Sequence, residues 1–469
     1  MVRVQTPKTP APIQMLQWVL NPTEYANTNF QRFGDCYQAA VLPMNPEPLI
    51  FLNHPEAIQY LLTKDSSDVL TAPGEANALA EPLLGKNSVI LASGKQHRRQ
   101  RQLLMPPFHG ERMKAYGTLI CQITQELIDE WPIGEARCTR QLMQTITMRV
   151  ILQAIFGLYE SDRYRRLEKL LGERLDLVST PLTSMIIFLP QLNVDLGPWS
   201  LGGKIRQVAA EIDELIYAEI QERRANFDPD RTDVLSLLLS ARDEQGAGLT
   251  DEELHDELMT LLVAGHETTA TALTWALYWI HQLPEVQRKL IAELEPWKDS
   301  SDLTAIARLP YLKAVCNETL RIYPVALLTL PRRVEQPITL MGRDLETGSL
   351  LMGCIYSVHH RPELYPEPEQ FRPERFLERQ FSPYEFVAFG GGARRCIGAA
   401  LAMYEMPLIL HTILNGCELK RTDNRTIKPK RRGATLAPGR SIQFKKISHS
   451  PGHRTSTERK EHQISVEVQ

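Results

Sequence analysis

The chain has 469 residues, enough to bury a large core, with 43% apolar and 23% charged residues and a formal net charge of −3. Such a composition belongs to an ordinary globular protein, and the near-neutral charge gives no bulk preference for nucleic acid or anionic membrane. The seven cysteines are odd in number, irregularly spaced and without a C-x-x-C pair, which argues against a disulfide framework or structural zinc and for a reducing compartment.

In chain order, Met1 to Pro12 is a polar, proline-rich arm with no apolar core for a signal peptide and no anchor helix. A short helix is expected from about Asn21 to Phe33, then strands over Cys36–Leu42 and Leu49–Leu52. Asn53 caps a helix carrying Ile58, Leu61 and Leu62. Thr71 to Ser93 reads as a long loop, of the kind that is usually functional or mobile. On the helix that follows, His97 and Arg101 lie four apart and share a face. Two donors there suit a carboxylate; a solvated basic face is the other reading, and periodicity alone favours it. Long helices are expected over Met113–Trp131, Arg140–Phe156, Asp162–Leu177 and Lys204–Ala225. Between the last two, an apolar run at 185–189 is flanked by Pro181, Pro190 and Pro198, as a packed loop or a lid would be.

Thr250 opens the longest helix, which runs to about Gln282 and stops before Pro284. Thr250 and Glu253 spell a capping box, and Asp251 and Glu252 suit the positive helix end. Leu258 to Ile280 is the only long apolar stretch, but His266, Glu267 and the threonines around them favour a helix buried in protein over a membrane span. Its centre, Ala264-Gly265-His266-Glu267-Thr268-Thr269, is poor helix material, since glycine alone costs about 1 kcal/mol against alanine. A buried glutamate adds a further penalty unless it is paired. Local rules broken at the most buried helix point to function. A zinc-type H-E-x-x-H site is excluded, because residue 270 is alanine.

Pro310 to Ile322 forms the next helix, with Glu318 and Arg321 on one face. Apolar Val325 to Leu330 and a strand-rich region over 335–358 follow. Lys428 to Arg432 reads as a solvated basic turn, and 447–469 as a disordered polar tail. The densest signal is Phe389-Gly390-Gly391-Gly392-Ala393-Arg394-Arg395-Cys396-Ile397-Gly398. It places one cysteine behind three glycines and two arginines at the mouth of an apolar helix. Glycines permit close backbone approach and positive φ. The helix end and the arginines favour a low-pKa thiolate.

This loop fills every fixed position of F-x-x-G-x-R-x-C-x-G and resembles the haem-binding loop of the cytochrome P-450 family, soluble bacterial type. Four further motifs in the family's order support the likeness: His97/Arg101, the Ala264–Thr269 segment, Glu318/Arg321 and Arg375. The resemblance implies a single, mainly α domain over 13–446 with small β-sheets. Haem b (iron protoporphyrin IX) would lie between the long central helix and the cysteine loop. Cys396 would be the axial iron ligand, with Phe389 packed over the sulfur and Gly398 closing the loop. His97, Arg101, Arg394 and Arg332, the last with Arg333 as an adjacent competitor for its role, would meet the propionates. Gly265 would leave room for dioxygen, Thr268 would help deliver protons, and Glu267 would feed that relay as a carboxyl of raised pKa. Lys95, Arg98 and Arg99 would face outward near the proximal side. Glu318, Arg321 and Arg375 would form a buried network, the 180–199 region a substrate lid, and Thr435–Pro438 a substrate-touching loop.

The implied activity is monooxygenation of an apolar substrate, a fatty acid or terpenoid, by hydroxylation or epoxidation. Electrons would come from a separate ferredoxin or flavodoxin system with its reductase. No nucleic acid partner, no transmembrane anchor and a cytoplasmic location are expected. The competing readings are a haem-thiolate isomerase or peroxygenase, and a non-catalytic haem sensor.

Overall fold

The computed structural model describes residues 4–42, 47–108, 110, 112–157, 161–179, 197 and 199–449. Most of the 180–199 stretch and nearly all of the 447–469 tail lie outside them. Among the described residues, the helices of nine residues or more are α1 (Ala11–Leu20), α2 (Pro22–Phe33), α3 (Pro55–Thr63), α4 (Gly94–Leu104), α5 (Arg112–Asp129), α6 (Thr139–Phe156), α7 (Asp162–Ser179), α8 (Leu201–Ala225), α9 (Asp251–Gln282), α10 (Pro284–Leu294), α11 (Pro310–Ile322) and α12 (Ala399–Gly416). The strands are short: β1 (Cys36–Ala39), β2 (Leu49–Leu52), β3 (Leu70–Thr71), β4 (Ala136–Cys138), β5 (Arg332–Val334), β6 (Ile338–Leu340), β7 (Arg343–Leu345), β8 (Leu350–Gly353), β9 (Cys417–Arg421), β10 (Pro429–Arg432), β11 (Thr435–Pro438) and β12 (Gln443–His449).

The largest sheet has strand order β1-β2-β8-β5-β3, with β2 and β8 parallel and the other pairs antiparallel. Helix α9 runs through the middle of the molecule and packs against α6, α8, α11 and α12. Its start is the expected capping box: Thr250 Oγ1 accepts from the Glu253 amide at 3.1 Å, and Glu253 Oε2 accepts from the Thr250 amide at 3.0 Å. From Thr269 to Tyr278 every residue is buried. Hydrophobic burial of this kind is the main favourable term in folding. All seven cysteines are free, and no helix among the described residues is long and apolar enough to cross a membrane.

The helix expected from about Asn21 to Phe33 is α2, whose N-cap is Asn21, and the expected arm gives way at Ala11 to a further helix, α1. Pro10 caps and Pro12 opens α1, where a missing N–H does no harm. Met15, Trp18 and Val19 bury its inner face. The solvated turn at 428–432 is likewise corrected: Pro429–Arg432 is a strand paired with β11, and Arg431 is buried against the Trp18 ring.

The expected charge network is present beneath the cysteine loop. Glu318 is fully buried and holds Arg321 through two bonds of 2.7 and 2.8 Å, Arg375 at 3.1 Å and the Arg372 amide at 2.8 Å. Arg321 donates on to the carbonyls of His359 and Gln370. His359 Nε2 in turn accepts from the Val387 amide at 3.0 Å, two residues before the loop. Burial pushes the His359 imidazole well below its usual range, so the ring is neutral and free to accept.

Candidate active site

The cysteine loop takes its shape from glycines placed where the backbone demands them. Gly390 and Gly392 have φ of 61° and 62°. A Cβ on Gly392 would come within 2.5 Å of the Leu62 carbonyl. The Cys396 amide closes the turn on the Phe389 carbonyl at 3.0 Å, and Phe389 packs half-buried against the main core. Cys396 then meets the start of α12, capped by Gly398. Its side chain is exposed yet closely surrounded by protein. Burial pushes its thiol up, against the Gly398 and Ala399 amides and the Arg101 and Arg395 guanidiniums. The low-pKa expectation for the bare thiol is therefore corrected: helix end and arginines pull downward, but desolvation outweighs them.

Above the loop, three arginines and a histidine gather. His97 is buried, and its imidazole is pushed down to about 4 by burial and by Arg394, Arg101 and Arg332. Arg101 donates to the Arg395 carbonyl at 2.7 Å. Arg394 grips the carbonyls of Val89, Ala72 and Ala92 at 2.8, 2.6 and 2.6 Å, and its Nε–H is buried without a partner. Arg332 donates to Asp65 at 3.0 Å and to the Gly391 carbonyl at 3.1 Å. Asp65 also accepts from the Ala393 amide at 2.8 Å, tying Arg332 to the loop. The sequence reading missed Asp65, since nothing in its neighbourhood marks it.

Arg99 departs from the outward face expected of it. It is ion-paired to Asp243 at 2.5 Å and Glu253 at 2.9 Å, and so locks α4 to the start of α9. Lys95 and Arg98 are exposed, as expected.

On α9, Ala264 is exposed and Thr268 half-exposed in the middle of an otherwise buried helix, and the four-residue spacing puts both on one face. Thr268 Oγ1 donates back to the Ala264 carbonyl at 2.5 Å. A Cβ on Gly265 would meet Ile151 of α6 at 3.0 Å, so its smallness also serves the packing of α9 on α6, and Ala264 occupies the open face. Glu267 is gripped by two residues that the sequence reading did not single out. Arg140 Nη2 donates to Oε1 at 2.6 Å and Gln144 Nε2 to Oε2 at 2.9 Å. Glu267 is thus an ion-paired carboxyl. His266 is buried against Thr147 at 2.9 Å, and burial pushes its ring down to about 3.

The geometry fits a haem. Four cationic or donor side chains converge with one carboxylate, Asp65, among them. That excess of positive charge suits a porphyrin carrying two carboxylates. One thiol and one face of small side chains are the open surfaces that the two sides of a flat ring require.

Comparison with known proteins agrees. The family model described as Cytochrome P450 matches residues 6–445. Cytochrome P450 135B1 of Mycobacterium tuberculosis (strain ATCC 25618 / H37Rv) is 34% identical over 442 residues, 94% of this chain and 90% of that protein. Cytochrome P450 138 of the same strain is 31% identical over 432 residues, 92% of each. Among solved structures, a cytochrome P450DA haem domain superposes with TM-score 0.82 at 22% identity, covering 97% of this chain and 99% of that one. A retinoic-acid-bound cyanobacterial CYP120A1 gives 0.80 at 23%, covering 96% and 100%. The site and fold define a haem-thiolate oxidoreductase. The chain belongs to the cytochrome P450 family, whose members are monooxygenases that bind haem b through a cysteine thiolate.

Proposed function

We propose that this protein inserts one oxygen atom from dioxygen into an apolar substrate, a fatty acid or terpenoid, and that the Cys396 sulfur is the group that would hold the haem iron. When bound, haem supplies oxygen activation and the oxidising equivalents for C–H or double-bond attack. The chain's own residues do the rest. His97, Arg101, Arg332 and Arg394 orient the cofactor through its carboxylates. The Gly398 and Ala399 amides and the helix end support negative charge on sulfur. Thr268 holds a proton at Oγ1 on the open face of α9, and Glu267, the next residue, is the acid that replenishes it.

The observation that carries this reading is the Ala264/Thr268 face: small, partly hydroxylic and open at the centre of the most buried helix. The apolar substrate class rests on two stretches that the fold joins. The Leu436 amide donates to the Val325 carbonyl at 2.9 Å, bringing β11 beside Val325–Leu328. Leu327, Leu436 and Ala437 are buried there. A small ferredoxin or flavodoxin with its reductase supplies electrons in the cytoplasm, met at the exposed Lys95 and Arg98. A spin-shift titration of the haem-loaded protein with fatty acids, terpenes and steroids tests the class. Fatty acids or terpenes should shift the haem spectrum at micromolar concentration. No shift from any apolar compound would favour a sensor instead.

A further inference from the structure

The chain pairs its buried arginines. Arg223 meets Asp233 and Glu219, Arg321 and Arg375 meet Glu318, and Arg332 meets Asp65. Arg431 lies on the Trp18 ring, and Arg394 belongs to the cluster above the cysteine loop. Arg174 of α7 is the exception. It is 5% exposed, yet no carboxylate among the described residues lies in ion-pair range of it. Asp213 of α8 attracts it from farther off, but Asp213 Oδ1 is bonded to His255 at 3.0 Å. Burial works against the Arg174 charge. Its hydrogen bonds run from Nη2 to the carbonyls of Pro82 and Leu83, at 3.0 and 3.4 Å, in the short helix Glu81–Leu84. Among the described residues, Nε and Nη1 donate to nothing. A neutral donor would serve those two carbonyls as well, so the charge itself needs a reason, and a buried charge without a counter-ion is costly.

The location suits the far end of a substrate. The bonds to Pro82 and Leu83 tie α7 to the 71–93 loop. Next in that loop, Gly85 packs on Asp256 of α9 with no room for a Cβ between them. Asp256 precedes Ala264 by about 12 Å of helix rise. Arg174 thus lies beyond one end of the open Ala264/Thr268 face, displaced along α9 by a span that a long apolar chain can cover. We propose that Arg174 binds the carboxylate of a long apolar acid, holding the acid end of the substrate at α7 while the other end reaches the Ala264/Thr268 face. The proposal rests on the monooxygenase reading and narrows it: apolar acids, of fatty-acid or terpenoid origin, are preferred over alcohols and esters of the same length. The planar guanidinium donors match a carboxylate, and the substrate supplies the counter-ion that the fold leaves out. Arg174 is in this sense a specificity-determining residue; no bond of the substrate forms or breaks at it.

The test uses the haem-loaded protein at about pH 8, where a carboxylic acid is ionised. The ligands are dodecanoic acid, its methyl ester and dodecanol, together with farnesoic acid and farnesol. Kd is read twice, by haem spin shift and by equilibrium dialysis of labelled ligand, which needs no spectral response. The acid should bind about 10–100-fold tighter than its neutral counterparts, and a preference confined to one of the two acids names its source. In Arg174→Leu the ratio should fall to near unity. Arg174→Gln keeps a donor for the two carbonyls and removes the charge, so the test stays decisive should Arg174→Leu fold poorly; Arg174→Lys should keep part of the preference. Equal binding of acid and neutral counterpart by the natural chain, or a preference that survives in both neutral variants, overturns the proposal. So does a loss of affinity equal for acid and ester, the mark of a residue that only joins α7 to the loop. Arg174-dependent dialysis binding of the acids without any spin shift would uphold the carboxylate site and count against the monooxygenase reading instead.

Discussion

Two charged regions flank the cysteine loop, and they are built on opposite plans. Below it, Glu318, Arg321 and Arg375 are closed on one another and on backbone carbonyls. Above it, His97, Arg101, Arg332 and Arg394 crowd together with Asp65 as the carboxylate bonded among them, and Arg394 keeps an unpartnered Nε–H. A closed network is what a fold needs, because an unpaired buried charge is expensive. A cluster left with surplus positive charge is what an anionic cofactor needs. Both sets of arginines have partners within the chain and are told apart by balance: one carboxylate for two arginines below, one for three above.

Substitutions test that contrast most sharply where the network is closed. Glu318→Ala strands two arginines and should lower unfolding free energy by about 3–5 kcal/mol, read by urea denaturation; loss of the fold altogether would agree. A drop well under 1 kcal/mol would mean that the network is ornamental. Thr268→Ala should do the reverse. Its hydroxyl bonds only back along its own helix, so stability should change by under about 0.5 kcal/mol. Product formed per NAD(P)H consumed should fall by roughly 10–100-fold. Unchanged coupling would remove Thr268 from the proton path.

Arg101→Ala tests the open cluster. Its recorded bond is to the Arg395 carbonyl, so the protein should fold normally yet release haem about tenfold faster, read as transfer to apomyoglobin. Equal release rates would place Arg101 outside the cofactor's grip. The smallest effect concerns a third, half-open cluster. His255 of α9 bonds Asp213 of α8 at 3.0 Å and Asp256 at 2.9 Å. Burial works against its charge, yet the two carboxylates outweigh it and raise the imidazole to about 9. Its contribution is therefore full below about pH 6.5, the usual unfolded value, and is lost as pH rises through about 9. Between pH 7 and 10 the natural chain should lose stability that His255→Gln does not lose. Parallel profiles would show that the carboxylates do not hold a charged ring.

Legibility in the sequence followed distance along the chain. The capping box of α9 spans four residues, the cysteine loop ten, and Glu318/Arg321 one helical turn; each was readable because its parts determine one another locally. Asp65 meets Arg332 across 267 positions, and Arg140 meets Glu267 across 127. No local pattern marks such pairs. Gly265 shows a related limit: the sequence shows that a small residue is needed, but only packing shows that Ile151 lies against it. Helix α1 was missed because its prolines were read as part of a polar arm, though they sit at the cap and first turn, where proline is at home. Arg431 was taken for a solvated charge because the composition of its run says nothing of Trp18, which covers it.

The central claim is a bond from the Cys396 sulfur to haem iron, and the absorption spectrum of the reduced, carbon-monoxide-treated protein tests it most directly. The natural chain should show the red-shifted thiolate-type band, and Cys396→Ser should lose it while haem is still bound. Survival of that band in the serine variant would contradict the account.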